Sequence, residues 1–198
     1  GWQGAVYILD RPNPAGRKVE GTPLPESYES FVGSPGIPHR HGLTLAELAR
    51  FFWKDLDAEY DLIGFATDHA AAASPWDPQT SWTLEIPPSP NMPHTVTPWI
   101  YSGQCLLEGT NLSEGRGTTR PFEWFGAAYL PADQIFQSNR DAAPFDVGGG
   151  LLRPHRFIPM FHKQGGEVCE GFQIHLKRGQ ENQYHSLEHT LQILKWVQ

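Results

Sequence analysis

The chain has 198 residues, 39% of them hydrophobic and 19% charged, with seven Trp, eleven Phe and six Tyr, which is enough for a packed core and excludes a disordered chain. A net charge of −7 without a Lys/Arg cluster argues against a nucleic-acid partner, because phosphate binding needs a concentrated basic face. No apolar run approaches the ~18 residues that span a bilayer. Gly (20) and Pro (18) point to a loop-rich globule, with room for one large domain or two small ones.

The first residues, Gly1-Trp2-Gln3-Gly4, read straight into a strand, as in a chain cut internally, so export cannot be judged from a leader. Ala5-Val6-Tyr7-Ile8-Leu9 is a short β-rich run that predicts a strand buried on both faces, as in a parallel sheet. It ends at Asp10-Arg11-Pro12-Asn13-Pro14, and polar groups just past a buried strand sit where open α/β sheets place ligands. Residues 15–43 read mostly as loop. Thr44 and Glu47 have capping-box spacing, and Leu45, Leu48, Ala49, Phe52 and Trp53 predict a helix over 45–55. Asp61 to Ala66 predicts a second short strand.

Four prolines among residues 86–93 predict an extended, semi-rigid boundary segment. Pro93 suits the start of a helix through about Tyr101. Short β-like runs follow at 122–127, 156–161 and 168–176, with helices expected at 131–139 and 186–197. Phe172 to Leu176 alternates as a half-buried strand. Gly148-Gly149-Gly150 reads as a flexible turn. Cys105 and Cys169 lie far apart with no CxxC spacing, which favours two free buried thiols over a disulfide.

The fold class this predicts is α/β. A partial Rossmann-like parallel sheet over 1–86 precedes a Pro-rich linker at 87–97 and a smaller mixed α+β, partly β domain over 98–198.

The densest polar stretch is Leu107 to Glu123, with Glu108, Glu114, Glu123, Arg116, Arg120, Asn111 and several hydroxyls, punctuated by glycine. Such a loop can aim donors and acceptors at a polyol or carboxylate; Arg116 or Arg120 can grip a carboxylate as a fork, and Glu108 and Glu114 suit acid/base work. A solvated turn held by internal ion pairs has the same composition. Pro38-His39-Arg40-His41-Gly42 precedes the helix at 45, where cationic side chains favour an anionic ligand; one buried and one exposed His is the alternative. His185-Ser186-Leu187-Glu188-His189 matches H-x-x-E-H, but few residues follow to supply a third metal ligand, so a polar helix face is expected and no metal. Cys169 has no adjacent basic group to activate it.

Several blocks resemble one family, the exo-β-N-acetylmuramidases of the NamZ type, also known as domain of unknown function 1343. They are Leu9-Asp10-Arg11-Pro12-Asn13-Pro14 with Val19-Glu20-Gly21; Ser30-Phe31-Val32-Gly33; Ile37 to Thr44 with Glu47-Leu48-Ala49; Pro88 to Pro93; Leu107 to Glu123; and Gly171 to His175. The resemblance implies a Rossmann-like domain and a smaller one with a cleft between them. It also implies removal of non-reducing terminal N-acetylmuramic acid from peptidoglycan fragments, no cofactor, muramyl sugars as partners and an extracytoplasmic bacterial location. On it, Glu108 and Glu114 become the acid/base candidates. Asp10, Arg11, Asn13, Arg40, His41, Asn91, Asn111, Arg116 and Thr118 become substrate-binding residues, with Arg116 on the lactyl carboxylate. Family members are about twice as long, and their first half carries a PEHG-like block, whose Glu is the favoured general acid, that has no match here. The alternative is therefore a muramyl-sugar-binding fragment without catalysis.

Overall fold

The computed structural model describes residues 6–10, 13–53, 62–65, 87–139 and 145–197. The chain divides into two compact units, Gly1–Thr83 and Leu84–Gln198.

In the first unit, β1 (Val6–Leu9) pairs in parallel with β4 (Leu62–Phe65), Val6 opposite Leu62 and Leu9 opposite Phe65. Helix α1 (Leu45–Trp53) contacts both strands. The expectation that β1 is buried on both faces is corrected: Val6 and Ile8 are half-buried, while Tyr7 and Leu9 are 61% and 69% exposed. Alternation of this kind belongs to a strand with one covered face. The 15–43 segment is not all loop, since β2 (Glu20–Pro23) and β3 (Pro38–Arg40) pair antiparallel within it. A Rossmann-like parallel sheet is not supported. Two of the three sheets among the described residues are antiparallel, and the parallel one has two strands. What stands is a mixed α/β protein. Residues 54–55, Asp61, Ala66 and the rest of 66–86 lie outside the described residues.

Helix α1 starts where its capping signals stand. The Thr44 N–H donates to Glu47 Oε2 at 2.8 Å and the Glu47 N–H donates to Thr44 Oγ1 at 3.3 Å, a reciprocal box that satisfies two otherwise orphaned donors. The Thr44 hydroxyl also donates to Asp10 at 2.9 Å. Because Thr44 is buried and bonds on both sides, Thr44→Ala is expected to destabilise the first unit by about 1–2 kcal/mol, read as a lowered urea midpoint. A change within a few tenths of a kcal/mol would mean that the box contributes nothing.

The second unit is built on an antiparallel sheet of four strands in the order β5 (Trp124–Ala127), β8 (Cys169–Leu176), β7 (Gly150–Phe157), β6 (Asp146–Val147). Phe125, Leu152, Phe172 and Ile174 belong to a core with Ile100 of α2 (Thr97–Gln104), Ala132 of α3 (Ala132–Asn139) and Ile193 of α4 (Ser186–Trp196). Helices α2 and α4 meet at Gly103, where a Cβ would lie 2.2 Å from the Ser186 carbonyl oxygen. The Ser186 hydroxyl donates to Ile100 O at 2.6 Å, and the Gln104 amide donates to Thr190 Oγ1 at 2.9 Å.

Four further expectations change here. The helix placed from Pro93 begins at Thr97, with Pro98 in its first turn, where a missing N–H costs nothing. The proline-rich segment turns rather than extends: the Met92 N–H donates to Ser89 O at 2.9 Å. The run at 156–161 belongs to a strand that starts at Gly150 and ends at Phe157. Strand β8 is more enclosed than a half-buried strand, with Gly171 to Ile174 all buried. Both cysteines are free, Cys169 buried and Cys105 half-buried. No helix among the described residues is long and apolar enough to cross a membrane.

Candidate functional site

In the first unit, the sequence-predicted polar residues gather at the N-terminus of α1. The buried Asp10 carboxylate accepts from Thr44 Oγ1 and from the Ala46 N–H, both at 2.9 Å. The anion favoured at this helix end is thus the protein's own carboxylate. The Asn13 amide donates to Leu43 O at 3.0 Å, and its side-chain oxygen accepts from the Ala15 N–H. His41 Nδ1 accepts from the Leu43 N–H at 3.0 Å, which leaves the ring proton on Nε2, and burial pushes the His41 pKa down. Arg40 is 2% exposed, donates to Ala15 O and faces Glu20 at 3.5 Å; it is a buried structural cation. Arg11 lies outside the described residues.

In the second unit, the 107–123 stretch is an ionic cluster closed on a packed loop. Glu114 is fully buried, with Lys163 Nζ at 2.7 Å and Arg116 Nε and His162 Nδ1 each at 3.2 Å. All three groups stand at ion-pair distance from the carboxylate oxygens. Lys163 Nζ also donates to backbone oxygens, Leu107 O at 2.7 Å and Thr110 O at 3.1 Å. Arg116 also pairs with Glu108, and its guanidinium lies 5.0 Å over the Phe122 ring. The expectation that Arg116 stands ready to fork a ligand carboxylate is therefore altered, because two protein carboxylates already take it.

Glu108 is exposed. Asn111 is exposed too; its side-chain oxygen accepts from the Tyr129 hydroxyl at 2.7 Å. Thr118 is a turn residue: its hydroxyl donates to Gly115 O at 2.6 Å and accepts from the Arg120 N–H. Asn91 donates its backbone N–H to Ser89 Oγ at 3.3 Å in the proline-rich turn.

The backbone that shapes this cluster is unusual. Phe122, His162 and Gln164 have φ of 65°, 68° and 60° without being glycine. Such conformations persist only where surroundings impose them. Here the Phe122 N–H donates to Glu114 O at 2.6 Å, and Gln164 donates to Asn111 O at 3.1 Å. Gly117, at φ 82°, sits where a Cβ would lie 2.8 Å from the backbone nitrogens of Met160 and Phe161. The 158–167 loop and the 107–123 stretch thus hold one another.

Three residues that the sequence did not single out matter here. Glu123, 1% exposed, accepts from Thr97 Oγ1 at 2.8 Å and Arg120 at 2.9 Å, and lies 2.9 Å from His94 Nδ1. Its place at the end of the same dense stretch was the available signal. Lys163 and His162 come from a distant loop and carried none. His189, expected on a polar helix face, is buried, its Nδ1 3.0 Å from the Tyr184 hydroxyl; His185 is exposed. Among the described residues no group of His, Cys, Asp or Glu is placed to hold a metal ion. Burial pushes the Cys105 thiol up to about 11, so it is a poor nucleophile.

This arrangement, two ordered blocks followed by an acidic–basic loop locked on a four-stranded sheet, is that of a known family. Residues 2–96 match the family described as the N-terminal domain of exo-β-N-acetylmuramidase NamZ, and residues 99–198 match its C-terminal domain. The chain belongs to the NamZ family. It is 35% identical over 191 residues to the peptidoglycan β-N-acetylmuramidase NamZ of Bacillus subtilis (strain 168), covering 96% of this chain and 44% of that protein. Crystal structures of two DUF1343 family proteins from Bacteroides fragilis NCTC 9343 are also similar. One has a TM-score of 0.77 at 26% identity, the other 0.68 at 28%; each match covers 96% of this chain, and 49% and 50% of theirs. The chain spans about half the length of the relatives it matches.

Proposed function

We propose that this chain is part of a peptidoglycan-turnover glycosidase that removes the non-reducing terminal N-acetylmuramic acid from peptidoglycan fragments outside the cytoplasm. The observation that carries the reading is the match, over nearly the whole chain, to a relative named as a peptidoglycan β-N-acetylmuramidase. The chemistry agrees with it: the sugar carries hydroxyls, an acetamide and a carboxylate, and the exposed face of the 107–123 stretch offers Glu108 and Asn111.

In such a reaction a carboxylic acid protonates the glycosidic oxygen while a second group stabilises the sugar cation or activates water. Glu108 is the exposed carboxylate of the 107–123 stretch, whereas Glu114 and Glu123 are buried. Glu114, sealed from solvent, acts through Arg116 and Lys163 as a positioning residue. Asn111 binds a hydroxyl or the acetamide. Asp10, Asn13 and His41 fix the N-terminus of α1 and shape the loops on either side of it.

The test is release of a chromogenic aglycone from a β-linked N-acetylmuramic acid substrate by the full-length parent protein. Steady release that falls at least tenfold in Glu108→Gln supports both the reaction and the assignment; no release overturns the reading. The share of the relative that this chain spans, 44%, favours a second reading, in which these residues bind muramyl sugars without cleaving them. Saturable binding of N-acetylmuramic acid by this chain, with hydrolysis in neither it nor the parent, selects that one.

A further inference from the structure

Strands β5, β8 and β7 present a second face, opposite the side chains of the core. Trp124 pairs with Gln173 and Gln173 pairs with Arg153, so these three form one row across the sheet. His155 and His175 lie two residues from that row, on the same face by the alternation of β7 and β8. Contacts agree with the register. The Trp124 and His155 rings are 4.2 Å apart, His155 stacks on Phe157 at 6.2 Å, and Arg153 donates to Gln173 Oε1 at 2.6 Å.

Two properties set this face apart. First, Trp124 Nε1, His155 Nε2 and His175 Nε2 are all shielded and have no hydrogen-bond partner among the described residues. Buried polar atoms are nearly always paired, and three orphans on one face mark a place where something else supplies the partners. Second, the face is cationic. Arg153 is exposed and has no carboxylate partner among the described residues; burial first, then the charges of Arg153 and Arg120, press the His175 pKa down, and burial followed by Arg153 does the same to His155. Glu123, the carboxylate that acts on His175, is already bonded to Thr97 and Arg120 and faces His94.

An indole and a guanidinium at the two ends of one three-strand row suit a pyranose bearing a carboxylate. The apolar face of the sugar lies on the aromatic ring, and the carboxylate meets the guanidinium. We propose that the Trp124–Gln173–Arg153 row, with His155 and His175, is a subsite for a carboxylated sugar, and that Arg153 rather than Arg116 reads the lactyl carboxylate of N-acetylmuramic acid. Arg116 is held by Glu108 and Glu114, so using it would break two ion pairs; among the described residues Arg153 has only a neutral amide to give up. The inference rests on the proposed substrate class and adds the residue that separates N-acetylmuramic acid from N-acetylglucosamine.

The experiment is calorimetric titration of the chain with N-acetylmuramic acid, N-acetylglucosamine and D-lactate, for wild type, Arg153→Gln and Arg153→Lys. Wild type is expected to bind N-acetylmuramic acid about tenfold or more tighter than either N-acetylglucosamine or lactate. Arg153→Gln should abolish that preference while leaving N-acetylglucosamine affinity unchanged, and Arg153→Lys should restore part of it. Equal binding of N-acetylmuramic acid by wild type and Arg153→Gln, or no preference in wild type, overturns the proposal. Lactate binding as tight as N-acetylmuramic acid also overturns it, leaving an anion site only. Failure here is separable from failure of the glycosidase reading. A parent protein that hydrolyses the chromogenic substrate equally with and without Arg153 keeps the reaction and loses this subsite. An inactive parent whose chain keeps an Arg153-dependent preference loses the reaction and keeps the subsite.

Discussion

Glu114→Gln is expected to lower the stability of the second unit by about 3 kcal/mol, measured as a lowered urea midpoint with an unchanged slope. The substitution keeps the shape and removes the charge. Lys163, Arg116 and His162 then face a neutral amide at the distances where they now face a carboxylate, 2.7–3.2 Å. The carboxylate is wholly buried, so water cannot replace it from that side. The cations are partly exposed and can relax outward, which puts the loss at the lower end of what breaking a buried pair costs. Lys163→Met in the same background should recover part of the loss, because the amide would no longer face an uncompensated ammonium; the double-mutant cycle isolates that coupling. A loss below 1 kcal/mol would show that water reaches the cluster freely.

Gly103→Ala is the second large effect, about 3 kcal/mol or more, for a steric reason. Its Cβ would sit 2.2 Å from Ser186 O, 2.3 Å from Ser186 C and 2.6 Å from Leu187 N. All three are backbone atoms, so no rotamer change relieves the contact and the two helices must separate by more than 1 Å. Separation would strain the Ser186–Ile100 and Gln104–Thr190 bonds and loosen the packing around Ile100 and Ile193. Overpacking of a filled core costs roughly 1–3 kcal/mol, and a backbone clash stands at the top of that range. Gly109→Ala is the control. Nothing lies within 4 Å of its added methyl, and its urea midpoint should stay near the wild-type value.

Features that rest on local spacing were legible in the sequence. Thr44 and Glu47 announced a capping box because the hydrogen bonds they make depend only on a three-residue separation. Strand β8 and helix α4 followed from the period of their apolar residues, and helix α3 from the proline at its start. Most of strand β7 escaped because Arg153-Pro154-His155-Arg156 looks polar and contains a proline. Proline fits there because, among the described residues, the outer side of β7 is paired only as far as Leu152, so Pro154 owes no donor on that side. The three glycines before it read as a loose turn. Instead Gly149, at φ 74°, turns the β6–β7 hairpin hard against the Gln180 carbonyl, and Gly150 opens the strand.

The site was legible in composition and not in connection. The sequence put Glu108, Glu114 and Arg116 within nine residues of one another, but spacing does not say which carboxylate claims a guanidinium. Both do. Lys163, which ties Leu107, Thr110 and Glu114 together, arrives from the hairpin loop between β7 and β8, and only the pairing of those strands brings it there. The outer row of Trp124, Gln173 and Arg153 joins three strands and has no signature along the chain at all.

Within the 107–123 stretch three hydroxyls turn back on its own backbone: Thr110 to Leu107 O, Thr118 to Gly115 O, and Ser113 receiving the Gly115 N–H. The conformational freedom of this segment is therefore surrendered when the protein folds, not when a partner arrives. A molecule landing on it meets a surface already set, and the strength of association is decided by contacts and desolvation with almost no ordering cost.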